Sequence, residues 1–206
     1  MSRISALIPA AGRSRRMRTH KLLLPVGDRR VIDHLLDALG AVADDVFLLR
    51  RKDDLELRQA LATHPEVLVV EAESDPPEMR DSVQLLLDHV SRTCRPDDND
   101  GWLLCPADHP VVARNILEML IQAFQVRPGA MHLPTYKDRN GHPTLIPWSL
   151  ARRVRELPAG EGLNSLKQLP GVEVVRHPVD DPSILWDLDT PEDYQRLLTT
   201  LEAGHG

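Results

Sequence analysis

The constraint that most limits how this chain can fold is the repeated alternation of short apolar runs with stretches of helical period. Ser5 to Ile8, Asp45 to Leu49, Glu66 to Val70 and Gly101 to Cys105 read as buried strands. Between them, Val31, Ile32, Leu35, Leu36 and Leu39 mark one face of a helix, and Val83, Leu86, Leu87 and Val90 mark another. Asp53 to Ala62 and Asn115 to Phe124 complete the series of helices. Strand and helix in strict turn favour a mostly parallel sheet covered on both faces, because a parallel neighbour needs a crossover. The expected class is therefore α/β.

Beyond about residue 130 the pattern loosens. Ala130 to Pro134 and Thr144 to Pro147 read as strands around a turn at Asn140 and Gly141. A helix over Leu150 to Leu157, a short one over Leu163 to Leu169, and a strand over Gly171 to Arg176 follow. Pro191 to Leu201 reads as a closing helix, with Thr190 as its cap and Pro191 at its first position. No repeat or low-complexity linker interrupts the 206 residues, so one domain is expected.

Charge and composition narrow the partners. A net charge of −6 disfavours general binding to nucleic acid, and three Trp, two Tyr and two Phe leave little for stacking bases. Cys94 and Cys105 make no framework of disulfides, which suits a reducing compartment. The apolar stretch from Ile4 is short and broken by Pro9, unlike a signal peptide, and no apolar window has membrane-spanning length. A cytoplasmic protein with neither nucleic acid nor membrane as partner is expected.

Against this acidic background, Arg13, Arg15, Arg16, Arg18 and Lys21 fall within nine residues that contain no acid. They follow Ala10, Ala11 and Gly12, small residues that let backbone N–H groups approach a ligand at the end of a buried strand. Arg13 and Arg16 suit chelation of phosphate oxygens, and Lys21 suits a point charge on a reacting phosphoryl group. The segment is neither a Walker A sequence nor a G-x-G-x-x-G fingerprint, and an ordinary basic surface loop would have the same charges. Asp108, at the end of the strand beginning at Gly101, suits Mg²⁺, which binds one or two carboxylates together with substrate phosphates. It also suits a simple turn with Pro110. Asp187 and Asp189, two residues apart, would share a face on a strand and complete such a site, or start the closing helix. Ser82, at a helix start, suits contact with a nucleobase or ribose, or a plain N-cap. His142, on the expected turn, and His109 are candidates for the acceptor side, or for structural roles: His142 in stabilising the turn, His109 in the fold.

In order along the chain, these segments resemble the molybdenum cofactor cytidylyltransferase group of MocA/MobA-like nucleotidyltransferases. The resemblance rests on Ala10 to Met17 with Lys21 to Pro25, Met79 to Ser82, Ala107 to Pro110, Gly141 to Pro143, Gly160 to Gly162 and Asp187 to Asp193. It implies a Rossmann-like, three-layer (GT-A-like) fold with a mostly parallel mixed sheet. It also implies Mg²⁺-dependent transfer of a nucleoside monophosphate, CMP from CTP, to a phosphorylated acceptor, with pyrophosphate released. In that group the acceptor is molybdopterin-bound molybdenum, and a molybdoenzyme is the client. Carried over, Ala10, Ala11 and Gly12 would line the nucleotide. Arg13 and Arg16 would grip the triphosphate and Lys21 would neutralise the α-phosphate. Asp108 would be the principal Mg²⁺ ligand, with Asp189 or Asp187 the second. Leu22 to Pro25 would form the strand after the signature loop, and residues of about 130–180 the acceptor side.

Three positions depart from the pattern: Arg18 and Glu78 stand where glycine is common, and His109 where glutamine is usual. The opening and Arg80 to Val83 also resemble methylerythritol-phosphate cytidylyltransferases. Other acceptors (sugar, polyol or phosphonate), a non-catalytic chaperone for a nucleotide-bearing cofactor, and a dehydrogenase lacking its fingerprint are the competing readings.

Overall fold

In the computed structural model, residues 1–13, 17, 19–109 and 113–203 are described. Their principal sheet has eight strands. Strand β1 (Ile4–Pro9) lies at its centre, followed by a 3-10 turn (Lys21–Leu23) and a small hairpin of β2 (Pro25–Val26) and β3 (Arg29–Arg30). Then come α1 (Val31–Gly40), β4 (Asp45–Arg51), α2 (Leu55–Leu61), β5 (Leu68–Ala72), α3 (Met79–Cys94) and β6 (Gly101–Leu104). The second half holds α4 (Arg114–Val126), β7 (Met131–Tyr136), β8 (Arg139–Asn140), β9 (Thr144–Pro147), α5 (Ala151–Glu156), β10 (Val174–Pro178) and α6 (Pro191–Ala203).

The strand order is β10-β7-β9-β6-β1-β4-β5, with β8 paired to β7. The block β6-β1-β4-β5 is parallel, as is the pair β10-β7, and β9 runs antiparallel between β7 and β6. Alternation along the strands divides the core into two layers. Ile4, Ala6 and Ile8 of β1 pack with Leu48 and Leu103 beneath Ile32, Leu35, Leu117 and Leu120 of α1 and α4. On the other face, Leu7, Phe47, Leu49 and Trp102 meet Val83, Leu86, Leu87 and Val90 of α3, and Val154 of α5. This is the three-layer mixed sheet that the sequence suggests.

Two local expectations are corrected. Leu22 to Pro25 does not form one strand; the segment turns in a 3-10 helix and reaches extended pairing only at Pro25 and Val26. That turn carries Lys21 inward. The hairpin between β7 and β9 does not turn at Asn140 and Gly141 but at Lys137 and Asp138, both in the left-handed region at φ 47° and 62°. Among the described residues, no helix is long and apolar enough to cross a membrane.

Candidate active site

The C-terminal end of β1 opens into the signature loop. The Ala10 N–H still pairs with Leu49 O at 2.9 Å, so the loop starts as an extension of the sheet. Ala10 and Ala11 are buried, and Gly12 leaves open space where a Cβ would stand. Arg51, at the end of neighbouring β4, donates Nη1 to Ala11 O at 3.1 Å and to Gly12 O at 2.9 Å. Its own charge is matched by Asp53 and Asp54. Arg51 is thus the brace of the loop, and sequence reading missed it. A basic residue closing a parallel strand beside the loop strand was the available signal.

Arg13 lies half-exposed, with Nε 2.6 Å from Asp75 and Nη2 3.1 Å from Asp53. Ion pairs this exposed are worth little, so an arriving phosphate can compete for the guanidinium. Arg16, with Arg15 and Arg18, lies outside the described residues.

Lys21 enters from the 3-10 turn. Its Nζ lies 3.2 Å from Asp108 Oδ2 and 3.0 Å from Asp189 Oδ1. Two carboxylates from distant segments therefore converge on one point. The Leu188 N–H donates to Asp108 O at 2.7 Å, tying the segment before α6 to the loop after β6. Asp193 then fixes the chain at Asp189: its Oδ2 accepts from the N–H groups of Asp189 and Thr190 and from Thr190 Oγ1. Burial alone would raise the Asp193 carboxyl pKa, but these hydrogen bonds hold it below the usual range. Thr190 and Asp193 form the expected helix start, and Asp193 has the added effect of orienting Asp189.

Among the described residues, no group of three or more His, Cys, Asp or Glu could hold a metal. Two converging carboxylates without a third protein ligand match the needs of Mg²⁺, which completes its shell with water and substrate phosphates. Cys105 behind Asp108 is fully buried, and burial followed by the Asp108 charge pushes its thiol pKa up, so it stays protonated.

These groups line a cavity of about 400 Å³, bounded on one side by Ala10 to Arg13, Lys21, Asp108 and Asp189. Pro76, Pro77 and the start of α3 form the opposite side, where Ser82 faces in. Ser82 is not the helix cap. Glu78 takes that position in a capping box with Asp81, and Ser82 Oγ sits 3.5 Å from Glu78 O. The volume is in the range of small-ligand sites.

Asp187 does not join the carboxylate pair. Residues 186–189 are not a strand, Leu188 is buried with Val26, Val31 and Leu197, and Asp187 Oδ1 lies 3.3 Å from His109 Nδ1 with its side chain 63% exposed. His109 does not face the cavity; it is buried, and its ring meets His142 edge-on at 5.3 Å. His109 thus supports His142 from behind. His142 itself lines a second cavity.

Gly141 explains why a glycine precedes His142. A Cβ there would lie 2.5 Å from Ile184 O, and the adjacent His142 N–H donates to that same carbonyl at 2.9 Å. The peptide bond from His142 to Pro143 is cis. Gly141→Ala must push backbone from backbone, and we expect a loss of about 1–3 kcal/mol, read from urea midpoints.

Burial, and then the neighbouring His109, push the His142 pKa from 6.5 down to about 4. His132 and His177, in contact on adjacent strands, are also pushed down by burial. Between these limits the unfolded chain binds protons that the folded one refuses, so stability falls as pH drops from about 6.5 towards 4. His142→Gln should make the fall between pH 7 and pH 5 shallower in denaturant titrations; an unchanged slope would count against the assignment.

A model of the MobA-like NTP transferase domain family matches residues 6–177. None of the curated proteins matches the sequence. Among solved structures, the chain is similar to Rv0371c from Mycobacterium tuberculosis H37Rv at 28% identity and TM-score 0.77, over 97% of this chain and 99% of that one. Rv0371c has also been solved in complex with manganese. The fold is likewise shared with a nucleotidyl transferase from Methanothermobacter thermautotroptrophicus, at 23% identity and TM-score 0.79, over 99% and 100% of the two chains. It is shared too with a 4-diphosphocytidyl-2C-methyl-D-erythritol synthase, at 17% identity and TM-score 0.78, over 98% and 99%. With the family model spanning most of the sheet and the whole signature loop, the chain belongs to the MobA-like NTP transferase domain family and is a nucleotidyltransferase of that type.

Proposed function

We propose that the protein transfers CMP from CTP to a phosphorylated acceptor, the molybdenum cofactor in its molybdopterin form, in the cytoplasm, with a molybdoenzyme as eventual client. The observation that carries the reading is the convergence of Lys21, Asp108 and Asp189 in a cavity walled by the signature loop and the start of α3. Loop N–H groups at Ala11 and Gly12 and the guanidinium groups of Arg13 and Arg16 hold the triphosphate. Ser82 meets the nucleoside. Asp108 and Asp189 hold Mg²⁺, which when bound neutralises triphosphate charge. Lys21 sets its ammonium against the charge that builds on the α-phosphate in the transition state.

An acceptor phosphate oxygen forms the new bond to the α-phosphorus while the bond from that phosphorus to the bridging oxygen of the β-phosphate breaks. The electron pair leaves with pyrophosphate. The attacking oxygen is already anionic, so no general base is needed, and the enzyme acts by positioning and electrostatics. The walls of the second cavity come mainly from residues 131–167, which supports assigning the acceptor to that half of the chain.

The test is pyrophosphate release with each of the four NTPs against a panel of phosphorylated acceptors, with Mg²⁺ and with EDTA. Release with CTP and molybdopterin, abolished by EDTA, is expected. Release with another pair would reassign the substrates, and none with any pair would overturn nucleotidyl transfer by this chain.

A further inference from the structure

The second cavity, of about 420 Å³, shares Glu78 and Met79 with the nucleotide cavity. At the end of β6 the two diverge: Pro106 faces the second, and Ala107 and Asp108 the first. Its floor is apolar, made by Leu104, Met131 and Ile146 from three adjacent strands. Gly160, Gly162 and Leu163 form one wall, and Arg80 fixes its loop by donating Nη1 to the carbonyls of Leu157, Pro158 and Glu161 at 2.7–3.2 Å.

With Arg80 engaged by carbonyls, the ammonium left to serve the cavity is that of Lys167. It is half-buried and donates to Asn164 Oδ1 at 2.7 Å, and among the described residues no carboxylate lies within ion-pairing distance of it. The contrast with Lys21, Arg13 and Arg51 is sharp, since each of those faces carboxylates. Burial, and then the Arg176 charge, lower the Lys167 pKa, the response of a cation short of counter-charge. Across the same cavity, His142 Nδ1 is buried without a hydrogen-bond partner among the described residues. A partly desolvated cation and an unmatched ring nitrogen on an apolar floor are costly in the ligand-free protein, and an anionic ligand satisfies them together.

We propose that Lys167, oriented by Asn164, is the binding residue for the anionic group of the acceptor, which occupies this second cavity while the nucleotide occupies the first. This rests on the nucleotidyl-transfer reading for the acceptor's role, but the anion site itself does not. His142 supplies a hydrogen bond to the same ligand, and Arg80 is a positioning residue that keeps the wall in place.

The test uses phenyl phosphate as probe, titrated calorimetrically into wild type, Lys167→Ala and Lys167→Arg, each with and without a non-hydrolysable CTP analogue and Mg²⁺. Wild type should bind the probe with the analogue present, Lys167→Ala should weaken that binding at least about tenfold, and Lys167→Arg should stay within about threefold. Analogue affinity should be the same in all three proteins. Equal probe binding by wild type and Lys167→Ala would overturn the proposal, as would no wild-type binding at millimolar probe or a matching loss of analogue affinity. If the analogue fails to bind even wild type while probe binding still depends on Lys167, the anion site stands and only the nucleotide reading falls.

Discussion

Lys21→Ala is expected to lower turnover by roughly two to three orders of magnitude, the usual loss for one preorganised charge at a reacting centre. The ammonium sits between Asp108 and Asp189 in the ligand-free protein, so its removal has two opposed effects. Two carboxylates are left facing one another, which should increase the attraction for a divalent cation at that point. On the proposed mechanism, the charge set against the α-phosphate is lost. Steady-state rates should therefore fall while the Mg²⁺ concentration for half-maximal rate stays level or drops. The side chain is only 15% exposed, so circular dichroism and a urea midpoint must first establish that the variant folds. A folded Lys21→Ala enzyme with turnover within tenfold of wild type would remove Lys21 from the chemistry.

Asp108→Asn should be at least as damaging, by roughly three orders of magnitude, for a different reason. Replacing the carboxylate with an amide of the same shape takes one negative charge from the proposed metal site and from the partner set of Lys21. The metal requirement should rise steeply, with partial rescue by Mn²⁺ at higher concentration, because the loss is in metal affinity as well as in transition-state charge. Asp187→Asn, by contrast, should behave nearly as wild type, because Asp187 faces His109 and lies outside the cavity that Lys21, Asp108 and Asp189 line. Equal effects from Asp108→Asn and Asp187→Asn would mean that the metal is held elsewhere.

Much of this arrangement is legible in sequence where the relevant physics is local. Alternation of apolar runs and helical faces gives β1, α1, β4, α3 and α4 to within a few residues, and Thr144 to Pro147 is the strand as expected. Strand β5 comes two residues later than its apolar run suggests. Val67 is still closing the turn after α2 through His64 O, and Leu68 and Val69 are half-exposed on an edge, so burial does not mark the strand. Asn140 and Gly141 mimic a hairpin turn because the glycine serves a second need, the close approach to Ile184.

The same division applies to the site. Ala10 to Arg13, Lys21, Ser82, Asp108 and Asp189 line one cavity, each lying in a short motif at an element end. Arg51 and Lys167 escape such reading, as do the bracing effects of Arg80 and Asp193 within their motifs, because these act through backbone carbonyls, backbone N–H groups or a cavity wall formed far away in sequence. Nothing in the composition near Arg80 announces that it will hold a loop 77 residues ahead.

The bond from Lys21 to Asp189 joins residues 168 positions apart, and that to Asp108 joins residues 87 apart. On a ribosome, the sheet around β1 can assemble as soon as β6 has emerged, with Asp108 already at its edge. The second carboxylate arrives only with the segment that α6 pins against Val26 and Val31. Closing so long a loop adds little to the entropic cost but comes last in time. The cluster of Lys21, Asp108 and Asp189 is therefore complete only after α6 has docked, so a site that needs both carboxylates forms late in folding.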